Sequence, residues 1–283
     1  MSEWSDWIGR EMRSADRLDP ALAARWCASF DRDAPADEAM PQGIHLCLCT
    51  PEARTGQLGP DGHPLRDDSP ASFLPPVPLP RRMWASSKVE FHAPLLEGET
   101  VVRTSTVASV TAKEGGSGTL VFVEVEHATQ GESGLAVREV QTLVYRHAPP
   151  AGSPAVPPLV GKEAFDAGSW DAHRRLVPGE PLLFRYSALT FNTHRIHYDL
   201  AYATGEEGYR GLVVHGPLTA TLLLDLARQE LGDNALATFA FRGMSPAICG
   251  DALHLVMRAR DGAIEFGAFA ADGREVMSAR ASR

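Results

Sequence analysis

Between Lys88 and Arg146 the chain alternates apolar and polar residues. It does so through KVEFHAPLLEGETVVRTSTVASVTAKEGGSGTLVFVEVEHATQ and again through VREVQTLVYR. Strand side chains point to opposite faces with period two, so this run predicts long strands with one buried face. KEGGSG has the composition of a hairpin turn between two of them. The five prolines of HAPPAGSPAVPPL end the run, because proline cannot donate to a strand ladder, and mark a linker. A β-rich unit is therefore predicted over residues 1–147, a proline-rich linker over 148–180 and a second unit over 181–283.

The second unit repeats the texture. LLFRYSALTFN reads as a strand leading into a histidine-rich stretch. PLTATLLLDLARQEL then reads as an amphipathic helix, with Leu218, Leu222, Leu223 and Leu226 on one side and Thr221, Asp225 and Gln229 on the other; Gly232 is its stop. ATFAFRGMSP, DALHLVMRARD, AIEFGAFAAD and REVMSARAS read as strands again. VEFHAPLLEGE carries Pro94 and Gly98 four apart, and AFRGMSPAICGD carries Pro246 and Gly250 four apart, each pair between two strands. These matches point to an internal duplication, with the long helix kept in the second half and a shorter or irregular one in the first.

Ahead of the first β run, Ser5 to Phe30 reads as helical in two pieces. Asp19 and Pro20 form an N-cap and first-turn proline before ALAARWCASF. HLCLC fits a short strand or a helix, GPDGHP is turn chemistry, and FLPPVPLP excludes regular helix, so Gly43 to Pro80 is predicted to be a long covering loop.

The 283 residues carry a net charge of -9 and 44% hydrophobic residues. That balance supports a folded core and argues against general binding to nucleic acid or anionic membranes. No apolar run reaches the roughly 20 residues of a membrane span. MSEWSDWIGREMRS has no apolar signal-peptide core, so the default expectation is a cytoplasmic protein. Cys27, Cys47, Cys49 and Cys249 form no paired CxxC pattern, and Cys47, Cys49 and His45 lack a second ligand pair at zinc spacing. Reduced thiols and no bound metal are expected.

The residues that promise chemistry lie in TFNTHRIHYDLAYATGEEGYRGLVVHG, from Thr190 to Gly216. His194 and His197 follow Asn192 at a predicted element boundary, and His215 and Gly216 open the apolar helix. Imidazoles that titrate near neutrality beside a helix N-terminus suit acyl-thioester chemistry.

FNTHRIHYDLAYA followed by EGYRGLVVHGPL resembles the type-2 hydroxyacyl-thioester dehydratases and the related mesaconyl-CoA and itaconyl-CoA hydratases. FLPPVPLPRRMWA, from Phe73 to Ala85, resembles the N-terminal half of the same group. The resemblance implies an α+β, double hot-dog fold, in which an antiparallel sheet wraps a helix twice. It also implies reversible addition of water to a 2-enoyl-CoA, with no metal or redox cofactor and with coenzyme A only as part of the substrate. A short branched dicarboxylic acyl group is one such substrate, and a homodimer is compatible with the group. The wider MaoC-like hydratases carry Gly-Asp-x-Asn-Pro-Ile-His here. Their histidine falls on His197 and their isoleucine on Ile196, but their aspartate position holds Asn192, while Phe191, His194 and Arg195 replace the glycine, asparagine and proline.

Hydration needs a base for water, an acid for C2 and donors for the enolate oxygen. The catalytic candidates are His197 as proton carrier, Asn192 as an orienting amide and Gly216 as a backbone donor at the helix start. The substrate-binding candidates are His194, His215 and Arg195, the last for a phosphate or carboxylate; Arg81, Arg82, Arg210 and Arg242 are further phosphate candidates. Asp199 reads as a helix-anchoring carboxylate. Asp225 would serve a thioesterase, the alternative activity, but its stripe reads as the helix's polar face. A non-catalytic acyl-thioester-binding protein is the alternative from another class.

Overall fold

The protein is described by a computed structural model covering residues 4–35, 37–115, 118–148, 152–260 and 262–283. Five strands come from the first half: β1 (Glu11–Arg17), β2 (Arg81–Phe91), β3 (Thr100–Gly115), β4 (Gly118–Gly131) and β5 (Gly134–Arg146). Five come from the second: β6 (Ala172–Leu176), β7 (Thr238–Gly243), β8 (Leu253–Arg260), β9 (Ala263–Ala270) and β10 (Glu275–Ser282). The helices are α1 (Pro20–Ser29), α2 (Glu180–Leu189), α3 (Leu200–Gly205) and α4 (Gly216–Leu231).

All ten strands form one sheet in the order β1-β3-β4-β5-β2-β7-β10-β9-β8-β6. Read from its two ends, each half has the same order, and the halves meet edge to edge where β2 pairs antiparallel with β7. The duplication extends to the turns. Leu96 and Ile248 each make an isolated bridge just before a left-handed glycine, Gly98 and Gly250. The N–H groups of Gly98 and Gly250 donate to Leu18 and Pro178, just ahead of α1 and α2. Likewise the Met40 N–H donates to Leu95 at 2.8 Å, and the Val214 N–H to Ala247 at 2.9 Å. Met40 thus stands where Val214 stands. After Val214 the chain enters α4, whereas after Met40 it makes a 3-10 turn, Ile44–Cys47, in the place of that helix. This is the double hot-dog expected, with its first helix reduced to a single turn.

Three local readings are corrected. The stretch from Ser5 to Phe30 is not two helices: a 3-10 turn at Ser5–Trp7 is followed by β1, and only α1 is helical. β1 is mostly exposed and pairs on one side with β3, so its own sequence carries little apolar alternation. LLFRYSALTFN is not a strand but mostly α2, which carries Pro181 in its first turn and buries Leu183, Tyr186 and Leu189 at helical spacing. The predicted linker ends in β6, which pairs with β8, so the second half begins before residue 181. The N-cap of α1 is as expected, with the Asp19 carboxylate accepting from the Leu22 N–H. In the predicted β3–β4 hairpin Gly115 pairs with Gly118, while residues 116 and 117 lie outside the described residues, as do 149–151 of the linker.

The main core lies between the sheet and α1, α2 and α4. α4 is buried continuously from Leu218 to Ala227, so Thr221 and Asp225 of its predicted polar face are interior, while Gln229 is exposed. Asp225 is 1% exposed and meets Arg32, Arg174 and Arg228. A second apolar cluster seats Val77 and Leu79 of the proline-rich segment against Val107, Val123, Val125 and Tyr145. Arg66 donates to the Val77 and Leu79 carbonyls and lies over the Tyr145 ring, so the covering loop is fastened down.

Candidate active site

α2 ends at Leu189, and Phe191, at φ 48°, turns the chain out of it. Asn192 then closes a short turn, its side-chain carbonyl accepting the His194 N–H at 3.0 Å. A 3-10 turn, Arg195–His197, carries the motif inward, where Ile196 packs with Ala203, Val213 and Ile248. Asp199 anchors the following helix α3 as its N-cap, accepting from the Tyr202 N–H. These local choices deliver His197, 7% exposed, to the start of α4.

The His197 Nδ1–H donates to the Val213 carbonyl at 2.7 Å, which leaves Nε2 as the nitrogen free to accept. Its ring stacks on His215 at 3.6 Å between centroids, and His215 is the residue that caps α4 immediately before Gly216. His194 meets the edge of His197 at 5.5 Å. Burial is the main force on all three imidazoles. It pushes His197 down to about 4, against the support of the Val213 carbonyl; it pushes His194 down to about 2, helped by the positive charge of neighbours; and it pushes His215 well below the usual range. All three are neutral at pH 7.

Two partners were not foreseen in the second half. The Ser187 hydroxyl on α2 lies 2.8 Å from His215 Nε2, and Tyr186 meets the His215 ring at 5.1 Å. More distant in sequence, the GPDGHP turn of the first half folds over the motif. Thr193 donates to the Gly62 carbonyl at 2.6 Å, the Arg195 N–H donates to the Asp61 carbonyl at 2.8 Å, and His63 lies against the His194 ring at 4.0 Å. The turn chemistry of GPDGHP was legible, but no local signal tied it to a segment some 130 residues away.

The sequence-predicted residues divide clearly. His194, His197, His215 and Gly216 come together, and Asn192 adjoins them through His194. A Cβ placed on Gly216 would meet no protein atom within 4 Å, so close packing does not require this glycine. Its amide is among the first N–H groups of α4, which have no partner inside the helix. Arg195 is engaged within the protein. Its guanidinium donates twice to Asp199, at 2.7 and 3.0 Å, and once to the Pro60 carbonyl, and it lies over Tyr202. Asp225 is occupied by its arginines and does not face the histidines as a free carboxylate. Arg82 is half-buried, and its charge is one of those felt at His194. Asp61, His63 and His194 place ligand atoms within 4.8 Å of one another, a set able to hold a cation, which the sequence reading did not consider.

The family model for hydroxyacyl-thioester dehydratase type 2 matches residues 43–249. The chain belongs to that family. It is 40% identical over 281 residues to the mesaconyl-C(4)-CoA hydratase of Chloroflexus aurantiacus, covering 98% of this chain and 97% of that one. Among solved structures it resembles a MaoC-like dehydratase from Phytophthora capsici, with a TM-score of 0.71, 15% identity, and 98% and 96% of the two chains covered. It also resembles a Mycobacterium tuberculosis protein with a double hot-dog fold, with a TM-score of 0.56, 17% identity, and 97% and 95% covered. The family member described here is a hydratase–dehydratase. Among the described residues no helix is long and apolar enough to cross a membrane.

Proposed function

We propose that the protein adds water reversibly to a 2-enoyl-CoA whose acyl group is a short branched dicarboxylic acid of the mesaconyl type. The observation that supports this reading is the stacking of His197 on His215, the N-cap of α4, which brings a neutral imidazole to the helix start that Gly216 opens. His197 Nε2 takes a proton from water as the oxygen bonds to C3. The electron pair of the double bond moves to the thioester oxygen, where the Gly216 N–H and the α4 dipole stabilise negative charge. The Asn192 carbonyl is held by its own turn, so its NH2 is the part that orients water or substrate. Arg82, which has no carboxylate partner among the described residues, is the candidate for the distal carboxylate. Hydration is redox-neutral, so this chemistry calls for no redox cofactor, and the cytoplasm supplies its thioester substrates.

The test is to offer purified protein mesaconyl-type and straight-chain enoyl-CoAs and to identify products by mass. A thioester that has gained one water, formed faster from the dicarboxylic substrate, is expected. Free CoA without a hydrated thioester would replace this reading with thioester hydrolysis, although the closure of Asp225 by arginines disfavours that outcome.

A further inference from the structure

Hydration moves two protons: one leaves water and one arrives at C2. Asn192 cannot carry either, and His197 carries only the first. The second titrating unit comes from the other half of the chain. Between Leu58 and Pro64, which bridge to each other, the loop presents Asp61 and His63 to the motif. The His63 ring Nδ1–H donates to one Asp61 carboxylate oxygen at 3.1 Å, and the His63 backbone N–H donates to the other at 3.0 Å. The ring bond leaves Nε2 on the side of the imidazole away from Asp61. Burial acts to raise the Asp61 carboxyl, but the hydrogen bonds and charge of His63 outweigh it and hold it at about 2. Asp61 is therefore a standing anion, the counter-charge for an imidazolium.

The loop's seat is built rather than incidental. Gly62 has a positive φ of 88°, and a Cβ there would collide with the Thr193 carbonyl. Thr193 and Arg195 fasten the loop through the Gly62, Asp61 and Pro60 carbonyls. His63 thereby lies over His194, which in turn meets His197. The His63 side chain is 30% exposed, whereas His197 is 7% exposed.

We propose that Asp61 and His63 form the second acid–base unit of this site, with His63 delivering the proton to C2. The proposal rests on the hydration reading above. As the C3–O bond forms, the proton lost by water goes to His197 Nε2. As the enolate collapses, its electron pair forms the C2–H bond with the proton of His63 Nε2, and the thioester carbonyl returns. His197 is left cationic and His63 neutral; transfer of one proton, along His194 or through solvent, restores both. One water is consumed, and nothing is oxidised or reduced. A cation held by Asp61, His63 and His194 is the competing use of the same side chains, and it would have to break the Asp61–His63 hydrogen bond.

The experiment compares wild type, His63→Ala, His63→Gln and Asp61→Asn on the enoyl-CoA that the wild type hydrates best, with folding followed by circular dichroism. His63→Ala and His63→Gln should each lower kcat by about 10²-fold or more, the weight of a positioned acid–base group, with a much smaller change in KM. Added imidazole should restore part of the His63→Ala activity. Asp61→Asn, which removes the counter-charge, should lower kcat without abolishing binding. If both His63 variants keep kcat near wild type, or if folded His63→Ala loses activity that imidazole does not restore, the proposal is overturned while the hydration reading stands. Wild-type activity lost to EDTA and restored by zinc would replace the acid–base unit with a metal site and overturn it as well. A wild type that hydrates no enoyl-CoA overturns the hydration reading itself.

Discussion

His197 meets both His194 and His215, but the three have different partners, and the partners separate their roles. His197 has a carbonyl fixing one nitrogen and leaving the other free; His215 shares its Nε2 with Ser187; His194 stands between His197 and the first-half loop. Replacing His197 by alanine should lower kcat by about 10²–10⁴-fold in a folded protein, measured by steady-state hydration. Asn192→Asp is the sharper substitution. Because the carbonyl oxygen of Asn192 is taken by the His194 N–H, a carboxylate keeps the turn but loses the NH2 donor, so kcat should fall strongly with little change in thermal stability. An aspartate enzyme as active as wild type would show that the amide donor is not used. Arg82→Ala should raise KM more for a dicarboxylic enoyl-CoA than for a straight-chain one of similar length, since a carboxylate contact alike in ground and transition states acts on binding.

Elements explain both what the sequence disclosed and what it hid. The long strands were legible because alternation over β3, β4 and β5 admits one reading, and α1 because Asp19 and Pro20 announce it. α2 was misread because Leu182, Phe184 and Tyr186 also alternate like a strand. Packing decided otherwise, burying Leu183 and Tyr186 while leaving Phe184 70% exposed. The histidine motif was legible as a cluster through its spacing, but Asp61, His63 and Ser187 were not, since only the fold brings them to it. The same holds for Asp225, which looks like a surface residue of α4 until Arg32, Arg174 and Arg228 are seen around it. Arg32 follows α1 and lies over the Trp26 ring, so this carboxylate joins the first half to the central helix. Asp225→Ala leaves the buried Arg32 guanidinium uncompensated and should cost about 3–5 kcal/mol in urea unfolding. A loss below about 1 kcal/mol would mean that water reaches the arginines freely.

At the scale of the molecule, burial depresses histidines in both halves. His45 is pushed down to about 3, His127 to about 4, His194 to about 2 and His197 to about 4, and His215 lies well below its usual range. In the unfolded chain these groups titrate near 6.5. Above that value neither state is protonated and the folded form bears no penalty. As pH falls from about 6.5 toward the depressed folded values, the unfolded state takes up protons that the folded state refuses, so stability drops. Each group contributes up to about 1.4 kcal/mol per pH unit within its window. The urea midpoint should be nearly level from pH 8 to pH 7 and fall steeply from pH 6.5 to pH 5. A midpoint unchanged at pH 5 would mean that the imidazoles charge in place.

The unequal halves also set a stoichiometry. Met40 and Val214 occupy matching positions, yet only the second is followed by a helix whose first amides stand beside an imidazole. Pro41, Gln42 and Gly43 follow the first, and no free helix start awaits a thioester there. In the proposed reading, two hot-dog units make one reaction centre, and the first unit supplies the Asp61–His63 loop instead of a second copy. A slowly dissociating enolate mimic should saturate the protein at one equivalent per chain, with no weaker second class of sites.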